Sequence, residues 1–247
     1  MPDELVVRRA GFAPVKGMRH LALDAVDLDA RGAVGDRAWC VVDVDRSRVL
    51  RTVQHPSLIG VVARPEEDGL ELTLPTGESA RGPARPTGET LACDYWGRSV
   101  DLELTGGPHA DLVSAWLGTS VRLAAAPRGG VVFADPVTIV TTATLAALGE
   151  GVADQPERFR ATLVVETDEP FVEDTWLGQE VGVVDARLRI GGPIPRCAVI
   201  DHHPGTGEKD LRLLNALVRE RPTNRAGEPM LGVYATCVEP GRVTVTR

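Results

Sequence analysis

The sequence predicts an α+β protein that is mainly β, and three observations carry that expectation. Short runs rich in Val, Leu and Ile, bounded by Gly, Pro and Asp, recur through the first half. Helical spacing of apolar residues is confined to a few short stretches in the second half and around Trp116. A chain of 247 residues with 43% hydrophobic content can bury one large core or two small ones, and it has no internal repeat or low-complexity tail.

Taken in order, strands are expected at residues 5–8, 37–44, 58–63, 70–74 and 100–104, a spacing that suggests an antiparallel sheet or barrel. Residues 78–90, ESARGPARPTGET, read as a surface loop with no packing role, being rich in Pro, Gly, Ser and Thr. A helix follows Pro108, with Leu112, Val113, Trp116 and Leu117 on its apolar face and Gly118 at its end. Residues 121–126 form a further strand and 127–130 a turn. The chain is therefore divided into an N-terminal region, 1–126, and a C-terminal region, 127–247.

The second region opens with a buried strand at 137–140 running into a helix at 141–148, with Thr141 and Thr142 at its start and Gly149 as its stop. Free amides and hydroxyls at such a junction offer an anion site, ordinary capping being the alternative. At 158–165, RFRATLVV, two arginines lead into an apolar strand. Side chains at i and i+2 of a strand share a face and suit one oxyanion, with surface solvation the competing role. Residues 171–178 are an acidic turn carrying Trp176, and 183–190 form a strand. A turn at 204–207 precedes a helix bearing Leu211, Leu214, Leu217 and Val218, and strands at 231–238 and 242–246 close the sheet.

The chemistry concentrates at residues 191–210, GGPIPRCAVIDHHPGTGEKD, whose centre is Cys197. Pro193 and Pro195 stiffen the approach, and the guanidinium of Arg196 favours a thiolate, the form that acts as nucleophile or soft-metal ligand. An inert buried cysteine is the alternative. The other cysteines, Cys40, Cys93 and Cys237, form no CxxC pair, so zinc-ribbon and iron–sulfur spacings are absent. His202 and His203 are adjacent and diverge on extended backbone, which suits hydrogen bonding better than metal binding. No dinucleotide fingerprint, phosphate-binding P-loop or HExxH motif occurs. The net charge of −8 argues against a nucleic-acid or anionic-membrane partner. With no long apolar run and no signal-like N-terminus, the expectation is a cytoplasmic protein with reduced thiols and no membrane partner.

In this order, the segments 14–17 (PVKG), 35–39 (GDRAW), 54–58 (QHPSL), 158–160 (RFR), 173–176 (EDTW), 196–197 (RC) and 204–207 (PGTG) resemble the MOSC family, named for the C-terminal domain of molybdenum cofactor sulfurase. Within it they are similar to the mitochondrial amidoxime reducing component and to bacterial reductases of N-hydroxylated compounds. The resemblance implies a MOSC-type bent β-barrel with flanking helices, preceded by an N-terminal β-barrel-like region. It further implies a molybdenum–molybdopterin cofactor, with Cys197 as metal ligand and catalytic residue. Lys16, Arg37, Thr141, Thr142, Arg160, Thr162 and Arg196 match cofactor-binding positions. The activity implied is removal of oxygen from an N–OH or related N-oxygenated small-molecule substrate. Since the chain carries no iron–sulfur cysteines, electrons are expected from a separate donor protein of ferredoxin, flavoprotein or cytochrome type. Three departures from the family pattern stand out: Gly17 in place of Ser, Ala161-Thr162 in place of Pro-Asn, and His203 in place of Asp. The alternatives are a sulfur carrier using a Cys197 persulfide and a cofactor-binding protein without turnover.

Overall fold

The computed structural model describes residues 4–246. Its first half contains β1 (Val7–Phe12), β2 (Leu21–Leu23), β3 (Ala25–Asp29), β4 (Gly32–Ala33), β5 (Trp39–Asp43), β6 (Arg48–Val49), β7 (Val62–Glu66), β8 (Gly69–Thr73), β9 (Ser79–Gly82), β10 (Pro86–Tyr95), β11 (Arg98–Thr105), α1 (His109–Leu117) and β12 (Arg122–Ala125). The second half contains β13 (Val137–Thr141), α2 (Thr142–Ala147), β14 (Leu163–Val165), β15 (Glu180–Val183), β16 (Ala186–Pro195), α3 (Leu213–Glu220), β17 (Met230–Glu239) and β18 (Gly241–Thr244). The fold is thus α+β and mainly β.

The N-terminal half holds a closed barrel of β10, β11, β12, β5 and β6, and beside it a three-stranded sheet of β7, β8 and β9. Closure leaves the barrel strands no free edge, and Cys40, Val42, Cys93, Tyr95 and Leu102 fill its interior. The α1 helix ends on Gly118 in the left-handed conformation (φ 65°), and it lays Val113 and Trp116 on the core that contains Leu70 and Leu72.

A seven-stranded sheet, ordered β15-β16-β17-β13-β14-β1-β2, forms the other body. Leu5 N donates to Gly182 O at 2.9 Å, which brings the chain leading into β1 against the β15 edge and curls the sheet on itself. The inner face is lined by Val7, Ile139, Leu163, Trp176, Leu188 and Val233. Strands from the first residues contribute to this sheet, β1 pairing with β14, while the C-terminal β18 pairs with β3 in a separate three-stranded sheet ordered β18-β3-β4. Residue 126 therefore separates two stretches of sequence whose sheets exchange strands.

Three local expectations need correction. Residues 78–90 are not an unpacked loop: β9 pairs with β8, placing Ala80 opposite Leu72, and Ala80 and Ala84 are buried. Small side chains let that segment lie close on its neighbours. The run 183–190 is not one strand, because a two-residue turn at Val184–Asp185 (Val184 φ 55°) splits it into the β15–β16 hairpin. Residues 58–63 begin as a short 3-10 helix, Pro56–Gly60, started by Pro56, before β7.

Candidate functional site

The segment PVKG forms a tight turn, with Met18 N donating to Val15 O at 3.1 Å and Gly17 at φ 89°. That backbone conformation favours glycine, which accounts physically for Gly17 where the family pattern has serine. Trp39 N donates to Pro14 O at 3.1 Å and Lys16 N donates to Trp39 O at 2.8 Å, so the GDRAW segment is stitched alongside PVKG. Arg37 is held in the left-handed region (φ 48°) and pairs with the buried Asp36, which also accepts from Ala13 N at 3.3 Å. Two segments about twenty residues apart in sequence thereby place Lys16 and Arg37 together.

The opposite wall comes from the second half. Residues Pro156–Phe159 form a 3-10 helix ending on Arg160 in the left-handed conformation (φ 53°), so Arg158 and Arg160 do not lie at i and i+2 of an extended strand. Their side chains have different roles. Arg158, almost wholly buried, is bidentate to Asp210 at 2.8 and 2.9 Å and donates to Ile200 O at 3.3 Å. Arg160 has no carboxylate partner among the ion pairs of the described residues, and burial pushes its pKa down to about 10, with Arg37 adding to the effect.

Pro193 and Pro195 pair with Val233 and Met230 through an irregular register, and Arg196 N donates to Pro229 O at 2.9 Å. This firm strand ending delivers Cys197, exposed and extended, to the N-cap of a 3-10 helix at Ala198–Asp201. The inert-cysteine alternative does not describe this residue; it describes Cys40, Cys93 and Cys237, which are all buried. Arg196 is directed into the protein, donating from Nε to Leu231 O and from Nη1 to Phe159 O, each at 2.8 Å. Its Nη2 is buried without a partner, and a Cβ at Gly232 would stand 3.1 Å from it. Burial pushes its pKa down to about 10.

These side chains converge on one cavity of about 200 Å³ between the two bodies. Lys16, Arg37, Arg160, Arg196 and Cys197 all line it. Lys16 is the most perturbed: burial, then Arg37 and Arg160, push its pKa down to about 7, opposed by Asp36 and Cys197. Its ammonium lies 5.8 Å from the centre of the Tyr95 ring. The Tyr95 hydroxyl is buried without a partner, and burial pushes its pKa up to about 12. Cationic groups and unpaired donors held together in a recess, with Asp36 the one carboxylate salt-bridged within the cluster, are a preformed environment for an anion.

Thr141, Thr142 and Thr162 are not brought to this cavity. Thr141 caps α2 through the Thr144 amide at 3.2 Å, and both its hydroxyl and that of Thr144 meet the buried Glu173 at 3.1 and 2.9 Å. The protein's own carboxylate thus occupies the helix start that looked open to an anion. Thr142 Oγ1 ties to the backbone of Thr167, and Thr162 Oγ1 lies 3.2 Å from Thr138 Oγ1. Asp174, in the 173–176 segment, pairs with Arg221 beyond α3. His202 and His203 make hydrogen bonds to the 204–207 turn, and among the described residues no cluster of His, Cys, Asp and Glu could hold a metal ion.

Sequence reasoning missed the aromatic and polar remainder of the wall: Tyr95, Trp96, Phe133, Thr138, Asp135 and Tyr234. Trp96 and Phe133 meet edge to face at 4.9 Å, and Arg51 stacks 4.2 Å from the Trp96 ring. The available signal was Tyr95-Trp96-Gly97-Arg98: Trp96 and Gly97 both have positive φ, so this is the tight β10–β11 hairpin turn that projects Trp96.

Lys16 yields a pH prediction. An unfolded lysine keeps its proton up to about 10.5, whereas the buried one releases it near 7, so between these values the unfolded state binds more protons and stability rises with pH. Below about 7 the cost of the buried charge is fully present. The stability difference between cofactor-free Lys16→Met and wild type, measured by urea unfolding, is therefore expected to favour the variant at pH 6.5 and to shrink steadily by pH 9.5.

Fold and site together define a mainly β protein in which two sheet systems enclose a cationic cavity with an accessible thiol on its wall. The chain matches the MOSC domain over residues 102–246 and the MOSC N-terminal beta barrel domain over residues 7–121. It belongs to the MOSC family. It is 26% identical over 223 residues to the molybdenum cofactor sulfurase of Caenorhabditis elegans, covering 83% of this chain and 30% of that protein. Mitochondrial amidoxime reducing component 2 of Bos taurus is 24% identical over 269 residues, covering 94% of this chain and 79% of the relative. The chain thus spans about a third of the length of the sulfurases it matches. The crystal structure of the YUAD protein from Bacillus subtilis aligns over 98% of this chain and 91% of its own, with a TM-score of 0.43 and 11% identity. Among the described residues no helix is long and apolar enough to cross a membrane.

Proposed function

We propose that the cavity holds a molybdenum–molybdopterin cofactor and that the protein reduces N-hydroxylated or other N-oxygenated small molecules with electrons from a separate donor protein. The observation that carries this reading is the convergence of Lys16, Arg37, Arg160 and Arg196 on the same cavity as the exposed Cys197. The residues fit the group: the unpaired Arg196 Nη2, with Lys16 and Arg160, which form no ion pair among the described residues, suits its phosphate and other anionic oxygens, and the aromatic walls suit a flat ring system. Cys197 supplies a soft thiolate ligand for the metal. When bound, the cofactor supplies a centre able to accept oxygen and deliver two electrons.

The chain's own residues bind and orient. Lys16 and Arg37 hold one side from the PVKG and GDRAW turns, and Arg160 and Arg196 hold the other. Reduction of a C=N–OH group to C=NH and water consumes two protons with the two electrons. Tyr234 and Asp135, both lining the cavity, are the groups placed to pass those protons. Amidoxime-reducing relatives support this reading.

A second reading, a sulfur carrier with a persulfide on Cys197, is favoured by the exposure of that thiol and by the sulfurase relatives. One experiment separates the two. Protein purified from a cofactor-producing host, supplied with an artificial electron donor, is expected to convert an N-hydroxylated amidine to the amidine. Metal-replete protein that forms no product, yet gains one sulfur atom at Cys197 from a persulfide donor, would favour the carrier.

A further inference from the structure

Behind the Arg160 wall lies a second recess, a groove of about 630 Å³ between β1, the turn into β2, the β7 strand and the 203–205 turn. Arg9, Arg19 and Arg64 line it together with His20 and His203, against a single carboxylate, Glu157. None of the three arginines forms an ion pair with the described residues. Arg19 is pinned by Nη2 to Gly60 O at 3.2 Å and to Gly205 O, and its Nε is buried without a partner. Arg9 donates from Nη2 to His20 Nδ1 at 3.0 Å, and its Nη1 is likewise buried and unpaired. Burial, with Arg9, Arg160 and Arg37 beyond it, holds His20 well below its usual pKa, so the ring accepts this bond as a neutral group. Arg9 and Arg19 are themselves pushed down by burial, opposed in each case by Glu157, and Arg64 adds to the lowering of Arg19. The protein therefore fixes like charges around a recess with only Glu157 to offset them, in a chain whose net charge is −8.

Between the groove and the Cys197 cavity lies only a small pocket of about 10 Å³, sharing His20, Glu157 and Pro204 with the groove and Arg158 and Arg160 with the cavity. That is barely room for one water molecule. The two recesses share a wall but cannot share one ligand. We propose that the Arg9–Arg19–Arg64 groove is a second anion site, separate from the Cys197 cavity, that takes the phosphate group of a phosphorylated small molecule. Guanidinium groups suit it because their planar forks match phosphate oxygens, and a dianion offsets the excess positive charge. The recessed setting favours a small molecule over a broad acidic protein surface. The site stands whether or not the cavity holds the pterin.

The test is calorimetric titration of the full-length protein with pyrophosphate at low salt. Saturable binding is expected to persist in Lys16→Gln, where the Cys197 cavity is weakened as an anion site, and to be weakened roughly tenfold or more when Arg19→Gln or Arg64→Gln is added to that variant. Arg64 is exposed, so its replacement leaves the fold intact and keeps the test valid if Arg19→Gln unfolds. Binding that survives Arg64→Gln but disappears in Lys16→Gln would place the anion in the Cys197 cavity and overturn the proposal. Absence of saturable binding, the outcome expected of a patch for an acidic protein, would overturn it too.

Discussion

On the proposed function, Cys197→Ala is expected to lower the turnover of N-hydroxylated compounds by at least about a thousandfold, since the substitution removes the soft ligand proposed for the metal. The fold has little reason to change. Cys197 is exposed, its sulfur makes no hydrogen bond among the described residues, and its backbone role as N-cap of the Ala198–Asp201 turn survives in alanine. Thermal unfolding of the cofactor-free variant should therefore match wild type. Metal content should fall further than pterin content, because Lys16, Arg37, Arg160 and Arg196 are untouched. Full turnover in a metal-replete variant would remove Cys197 from the mechanism.

The second large effect is structural. Asp210→Ala is expected to destabilise the protein by roughly 1–3 kcal/mol, between the values for an exposed and a buried ion pair, because Arg158 is buried while Asp210 keeps one side in solvent. It leaves the Arg158 guanidinium, whose side chain is 1% exposed, without its carboxylate. Arg158 also holds Ile200 O, three residues beyond Cys197, so the site should loosen with the fold. The hydrogen bond from Arg158 holds the Asp210 pKa below the ordinary 3.8, which fixes the pH dependence. Its contribution is present above about pH 4 and is lost as pH falls through the lower folded value. Urea unfolding at pH 7 and pH 3 checks both statements: the difference between wild type and variant should be larger at the first than at the second.

Much of this organisation is readable in the amino-acid order because it is local. Apolar alternation marks β8 and β11, Pro108 and Gly118 bracket α1, and Thr141 caps α2 as a hydroxyl before an Ala/Leu run should. Lys16, Arg37, Arg160, Arg196 and Cys197 lie in short motifs that resemble those of the MOSC family, and they line one cavity. What local pattern does not carry is pairing across long separations, such as β1 on β14 or β18 on β3, where partners lie far apart in the chain. Nor does it reveal residues held at positive φ against their preference. Arg160, Val184 and Trp96 each turn the chain where a strand reading would continue it. The threonines show a further limit: a hydroxyl beside a motif is as readily used by the protein, as Thr141 is by Glu173, as offered to a ligand.

The central claim is that the cationic cavity beside Cys197 holds an anionic pterin carrying molybdenum. It is tested most directly by measuring molybdenum and released pterin per chain in wild type and in Lys16→Gln/Arg160→Gln, both purified from a cofactor-producing host. The account predicts close to one of each in wild type and loss of both in the double variant with its fold retained. Wild-type protein from that host containing neither, or a double variant that keeps its pterin, would contradict it.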